Sequence, residues 1–257
     1  METILSVITI NKNNASGLEK TIQSVLQQTY SNYEFIVIDG NSTDNSKTII
    51  EKYSNQIHYS VSEPDNGIYE AMNKGIKQAT GKYCLFLNSG DCLATISILQ
   101  IVNDEINNED IIYGDILLDQ DYKMIPYAYT DNLTIKYLLK YVIPHQATFI
   151  KKELFEKCGL YDPTYKIVGD WAWILNCFVS TNINYRHIPK FISIYDTTGL
   201  SFNKENEKFI VDERKKAIQK IFNLYMVEYI TENMELEEEI RIANKKNYII
   251  SLFRKLL

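Results

Sequence analysis

The chain is poor in the residues that build irregular or covalently stapled proteins: of 257 residues, 10 are Gly, 5 Pro, 4 Cys and 3 His. Scarce Gly and Pro exclude collagen-like and low-complexity architectures. Cys84, Cys92, Cys158 and Cys177 form no C-x-x-C pair and have no His at a zinc-ligand spacing. That excludes a metal–thiolate centre and a disulfide framework. Cys84, inside an apolar run, reads as core packing. Positive charge is also in deficit: a net charge of -6 offers no basic surface for nucleic acid. No run approaches the roughly 18 apolar residues that span a bilayer. Met1-Glu2-Thr3-Ile4 lacks the basic and apolar regions of a signal peptide, so the expected location is the cytosol. G-x-G-x-x-G, G-x-x-x-x-G-K-[ST] and G-x-S-x-G are all missing.

What is present is an ordinary globular balance, 45% hydrophobic and 23% charged. It suffices for one large α/β domain, alone or with an appendage. The 19 Tyr suit stacking on sugars and bases, although compositional bias accounts for them without any function.

The first ninety residues alternate in period. Leu5–Ile10, Glu34–Asp39, Ile57–Ser62 and Lys82–Leu87 read as strands. Helical spacing covers Ser16–Gln28, a stretch from Asp44 to about Tyr53, and Ile68–Ala79, with Asn14 or Ser16 and Asp44 as N-caps. Such alternation predicts a parallel sheet with right-handed crossovers, and in such sheets ligands bind beyond the carboxyl ends of the strands. Those ends carry Asn11, Asp39-Gly40-Asn41-Ser42, Glu63-Pro64-Asp65-Asn66-Gly67 and Asn88-Ser89-Gly90-Asp91. Polar loops are common, but four in register indicate a site.

Farther on, Ile111–Leu118 and Tyr122–Tyr129 read as a hairpin around Asp119-Gln120-Asp121. A helix is expected near Leu133–Tyr141, a strand from Pro144-His145-Gln146 to Ile150, and a helical turn Glu153–Cys158 stopped by Gly159. Gly169-Asp170 opens an aromatic helix, and Tyr185–Ile188 and Phe191–Tyr195 read as two strands broken by Pro189. A long charged helix spans Glu205–Ile230. The segment Lys245–Leu257 is basic and amphipathic, suited to an anionic membrane surface or to a second copy of the chain.

The chemistry suggested is carboxylates around a sheet crevice. Transfer of a sugar from a nucleotide diphosphate needs charge neutralisation at the leaving group, a general base for the acceptor hydroxyl, and polar groups for the nucleoside. Asp91 suits the first role, Asp170 the second, and Asp39 with Asn11 the third.

At these residues the chain resembles the family 2 glycosyltransferases. The resemblance is carried by Ser6–Asn11, Gln27–Tyr30, Glu34–Asp44, Ser62–Gly75, Leu87–Asp91, Pro144–Phe149, Gly159–Asp162 and Gly169–Trp171, and covers roughly residues 3 to 202. It implies an α/β, GT-A-like fold with a mostly parallel central sheet flanked by helices. Residues 1–91 are then the nucleotide-binding half, 92–202 the acceptor and catalytic half, and 203–257 a helical extension. It also implies inversion at the anomeric carbon, a UDP-sugar donor, Mn²⁺ or Mg²⁺, and a glycan or lipid-linked acceptor in surface-polysaccharide assembly. Membrane contact, if any, is then peripheral, at the inner face of the plasma membrane. Thr9 and Asn11 map to the base contact, Asp39 to the uracil or ribose contact, and Asp65 and Asn88 to further nucleotide contacts. Asp91 maps to the metal ligand, Asp170 to the base, and His145 to an acceptor or diphosphate contact. Two departures stand out: Asp91 is the only acid in the metal loop, and Gly169-Asp170 replaces the frequent Glu-Asp. The alternatives are a nucleotidyltransferase, for which Asn11-Lys12-Asn13-Asn14 is not the expected basic Gly-rich loop, a glycosidase, and a non-catalytic binding module.

Overall fold

The computed structural model describes residues 5–121 and 123–233. The chain divides into two compact units, Met1–Ile210 and Val211–Leu257. Lys245–Leu257 lies outside the described residues.

The first unit is built on a nine-stranded sheet with β1 (Leu5–Asn11) at its heart. Parallel to β1 run β2 (Tyr33–Asp39) on one side and β4 (Tyr83–Phe86) on the other, with β3 (Tyr59–Ser62) beyond β2. The crossovers are α1 (Ala15–Leu26), α2 (Ser46–Lys52) and α3 (Ile68–Gln78). The sheet then turns mixed. β8 (Thr148–Lys151) lies antiparallel between β4 and β6 (Ile111–Gln120), and β9 (Tyr185–Asp196) runs parallel to β6. β5 (Cys92–Leu93) closes the far edge on β9, while β7 (Lys123–Tyr127) forms a hairpin with β6.

Both faces are covered. Leu5, Val7, Phe35, Val37 and Leu85 pack with Leu18, Ile22 and Val25 of α1 and with Leu99 and Val102 of α4 (Ile98–Glu105). On the opposite face Ile8 meets Gly75 of α3, and Phe86 packs edge-on against Phe155 of α6 (Lys152–Cys158) and against Tyr161. Phe155 stacks on Trp173 of α7 (Gly169–Ser180) at 4.5 Å. Near-continuous apolar strands are what a sheet covered on both faces requires.

Four local outcomes differ from the sequence reading. The two strands around Pro189 are one strand, β9, whose pairing with β6 skips residues between Ile188 and Phe191. Pro189 has no N–H to give, and the bulge places it where the ladder needs none. The helix expected through Ile230 stops at Ile221 as α8 (Glu207–Ile221). Asn223 Oδ1 then accepts from the Met226 amide, so its short polar side chain caps a new helical stretch rather than continuing the old one. The segment 92–110 also carries β5 and α4, which no periodicity announced. The helix near Leu133–Tyr141 is the shorter α5 (Ile135–Lys140). No helix among the described residues is long and apolar enough to cross a membrane.

Candidate active site

The loops after β1, β2 and β4 and the start of α7 converge on one crevice. Asn14 caps α1 by accepting from the Gly17 amide, and its Nδ2 donates to the Ser89 carbonyl at 3.0 Å. One turn later, Thr21 Oγ1 donates to the Asp91 carbonyl at 2.7 Å and accepts from the Gly90 amide at 2.9 Å. The 88–91 loop is therefore clamped by α1 before any ligand arrives. Gly90 has φ +111°, and a Cβ there would come within 2.3 Å of Asp196 Oδ2. Both facts demand glycine.

The nucleoside corner lies at the ends of β1, β2 and β3. Asp39 is fully buried and accepts from Asn11 Nδ2 at 2.7 Å, from the Ser42 amide at 2.9 Å, and from the Ser42 and Ser62 hydroxyls. Burial opposes its charge, but these donors outweigh that and hold its carboxyl below the usual range. Asn11 Oδ1 is left without a hydrogen-bond partner among the described residues. Thr9 is fully buried with its hydroxyl likewise unpartnered. Asp65 accepts from the Gly67 amide at 3.2 Å, and its Oδ2 sits where a side chain on Gly40 would be.

The reaction corner contains Asp91, Asp170 and His145. Asp91 is buried and accepts from two backbone amides, Asp196 at 2.9 Å and Asn88 at 3.2 Å. Burial pushes it up to about 6, against the opposing charge of His145; the Gln146 amide also bonds it, and the Asp196 carboxylate adds repulsion. Asn88 Oδ1 has no partner among the described residues.

Asp170 stands in the first turn of α7, where the helix dipole favours a carboxylate. Its Oδ2 is 3.0 Å from His145 Nδ1, and its Oδ1 accepts from the Tyr69 hydroxyl at 3.1 Å. Burial again opposes the charge, but the His145 bond and charge, the Trp171 amide and Tyr69 together hold Asp170 below its ordinary value. Burial and the Asp170 charge push the Tyr69 phenol far up, which keeps it a donor. The departure at Gly169 has a steric cause: a Cβ there would lie 2.7 Å from the Tyr69 ring. The small residue is what lets Tyr69 reach Asp170.

Three site residues were missed in the sequence. Asp196, at the end of β9, gives its amide to Asp91 and brings a second carboxylate beside the 88–91 loop. Tyr195, its hydroxyl 2.6 Å from Ser201 Oγ, feels the charges of Asp91, Asp170 and Asp196 and is pushed up to about 12, mainly by burial. Tyr69 completes the set. Conversely, two motif residues prove structural. The Asn73 amide donates to the Tyr161 carbonyl at 2.8 Å and accepts from the Tyr161 amide at 3.0 Å, tying α3 to the segment before α7. Among the described residues no group of three or more His, Cys, Asp or Glu is arranged to hold a metal by itself.

Comparison with known proteins gives the family and the fold. Residues 6–158 match the family model described as glycosyl transferase family 2. The chain is 32% identical over 225 residues to an uncharacterized glycosyltransferase of Mycobacterium tuberculosis, covering 82% of each chain. It is 28% identical over 203 residues to a PGL/p-HBAD biosynthesis glycosyltransferase of Mycobacterium bovis, covering 76% of this chain and 78% of the other. In structure it is similar to S. aureus TarS 1–349 in complex with UDP-GlcNAc, with a TM-score of 0.67 at 18% identity; 85% of this chain is covered, and it spans 65% of that one. It is also similar to the mannosyltransferase PcManGT of Pyrobaculum calidifontis in complex with GDP-Man and Mn²⁺, with a TM-score of 0.59 at 15% identity, covering 74% of this chain and 56% of that one. At such identities the structural likeness speaks for the fold, which is GT-A-like, and the sequence match speaks for the lineage: the chain belongs to glycosyl transferase family 2.

Proposed function

We propose that this glycosyltransferase inverts the anomeric carbon, moving a sugar from a UDP-sugar to a hydroxyl of a glycan or lipid-linked acceptor in surface-polysaccharide assembly. The observation that carries the reading is one turn, His145–Ala147, bonded at His145 to Asp170 and at Gln146 to Asp91. A base and a leaving-group site are thereby held apart at a fixed distance, as a single displacement requires. TarS 1–349 was solved with UDP-GlcNAc and PcManGT with GDP-Man, so a nucleotide sugar fits this fold.

In this reading Asn11 Oδ1 and Thr9 supply the nucleoside corner with unspent acceptors, and Asp39 fixes Asn11 through its Nδ2, leaving the oxygen uncommitted. Asp65 closes the rim and Asn88 adds a nucleotide contact. Asp170 takes the proton from the acceptor hydroxyl as that oxygen attacks the anomeric carbon. Tyr69 and His145 keep both carboxylate oxygens in place meanwhile.

The residues at the other end suit a divalent ion. Asp91 is buried, the Asp196 carboxylate stands beside it, and the Asn88 Oδ1 atom has no partner among the described residues. Mn²⁺ and Mg²⁺ ask for one or two carboxylates together with substrate phosphates, so Asp91 and Asp196 would hold such an ion. The ion, when bound, neutralises charge on the departing diphosphate.

The test is a calorimetric screen of UDP-, GDP- and dTDP-sugars with and without Mn²⁺. The expected result is Mn²⁺-dependent binding of a uridine donor. Binding that ignores the metal, or none to any donor, overturns the reading.

A further inference from the structure

His145 and Gln146 are neighbours in sequence yet serve different carboxylates, Asp170 and Asp91. The turn they form thus lies between the site of the attacking hydroxyl and the site of the leaving diphosphate. In a displacement the transferred ring occupies that same interval, because its anomeric carbon sits between the two oxygens. Gln146 is almost wholly buried and committed to Asp91, which leaves His145 as the member of the turn with an unused polar atom.

Its unused atom has a defined character. A carboxylate only accepts, so the Nδ1 that bonds Asp170 carries a proton, and Nε2 is the second hydrogen-bonding atom of the ring. Nε2 is buried and has no partner among the described residues. An unmatched buried polar atom is destabilising unless something supplies its partner.

We infer that His145 reads the transferred sugar: Nε2 forms a hydrogen bond with a ring hydroxyl of the donor, while Nδ1 holds the Asp170 carboxylate. This rests on the nucleotide-sugar reading above. It makes His145 a specificity residue, because a sugar without that hydroxyl leaves Nε2 unpaired, and sites built on such bonds reject the incomplete ligand. It also couples recognition to chemistry, since the imidazole fixed by the correct sugar is the same ring that fixes Asp170.

The test uses the full chain with Mn²⁺ and measures affinity for UDP, UDP-GlcNAc, UDP-glucose and UDP-galactose. The wild type should bind one of the sugars more tightly than UDP. His145→Asn keeps an amide where Nδ1 was but has nothing at Nε2. It should lose about tenfold of that sugar-dependent gain, as expected for one buried hydrogen bond, with UDP affinity unchanged. Monodeoxy analogues of the preferred sugar, tested on the wild type, should show one hydroxyl whose removal costs the same factor. That arm does not depend on the variant folding. A full sugar-dependent gain in His145→Asn, no sensitive hydroxyl, or a parallel loss of UDP affinity (Nε2 then faces the diphosphate) overturns the inference. A wild type that binds no nucleotide at all overturns the donor reading itself, visible before any variant is made.

Discussion

The nucleoside corner and the reaction corner each bury an aspartate at the end of a strand, and the two are driven in opposite directions. Asp39 is surrounded by donors from Asn11, Ser42 and Ser62 and is held low; Asp91 has two backbone amides, the Gln146 amide and a neighbouring carboxylate, and is pushed up to about 6. Loss of water is common to both. At Asp39 the donors outweigh it; at Asp91 it outweighs the amides and the opposing charge of His145. One carboxylate is satisfied by its own surroundings, and the other is not.

The largest expected effect separates chemistry from binding. Asp170→Asn should lower turnover by about a hundredfold or more, as loss of a general base does. Nucleotide affinity, set in the other corner, should stay near that of the wild type. Calorimetry alongside initial rates checks this, and unchanged turnover would remove Asp170 from the reaction.

Asp91→Asn should abolish the Mn²⁺-dependent part of UDP affinity, and its stability should carry the opposite pH signature to Asp39. The folded-state pKa of Asp91 lies above the roughly 3.9 of an unfolded aspartate, so the metal-free wild type loses stability as pH rises from about 4 to about 6 and little beyond. Melting in EDTA from pH 4 to 7 should show the variant gaining on the wild type by about 2 kcal/mol across that window. A flat difference would mean the charge is already compensated.

Asp39→Asn is the mirror experiment. Its folded-state pKa is depressed, so its contribution is present above the unfolded value and fades as pH falls through the folded one. The variant should be about 2 kcal/mol less stable at pH 7, because buried donors lose an acceptor. The deficit should shrink under acid conditions, where Asp91→Asn shows its least advantage.

Smallest of all, Tyr69→Phe removes one of the two side-chain bonds on Asp170 and leaves packing nearly intact. A fall in kcat of about threefold to tenfold, the equivalent of one ordinary hydrogen bond, with KM little changed, would mark Tyr69 as a positioning residue.

The parallel half of the fold was legible because each of its strands is an apolar run that ends abruptly in polar residues. Asp39 and Asp91 could be placed on that basis alone. Asp170 was assigned from the chemistry and the resemblance rather than from the strand pattern, since it opens an aromatic helix with no strand before it. Asp196 was not legible. Pro189 made β9 look like two short strands, and nothing local says that residue 196 returns to lie beside residue 91, more than a hundred positions away. Tyr69 was hidden for a related reason: its partner Asp170 is supplied by a different helix. The two-residue β5 is too short for any period to register.

The clamp between α1 and the 88–91 loop has a consequence in time. The Gly90 amide is given to Thr21 Oγ1, and that same oxygen gives its proton to the Asp91 carbonyl, so the loop shares its fate with the helix and with the sheet beneath it. Exchange of the Gly90 amide with deuterated solvent should therefore be as slow as that of the β1 amides, because it awaits the same cooperative opening. Ligand binding should then slow the Gly90 and β1 amides by the same factor, marking the loop as an anvil rather than a hinge.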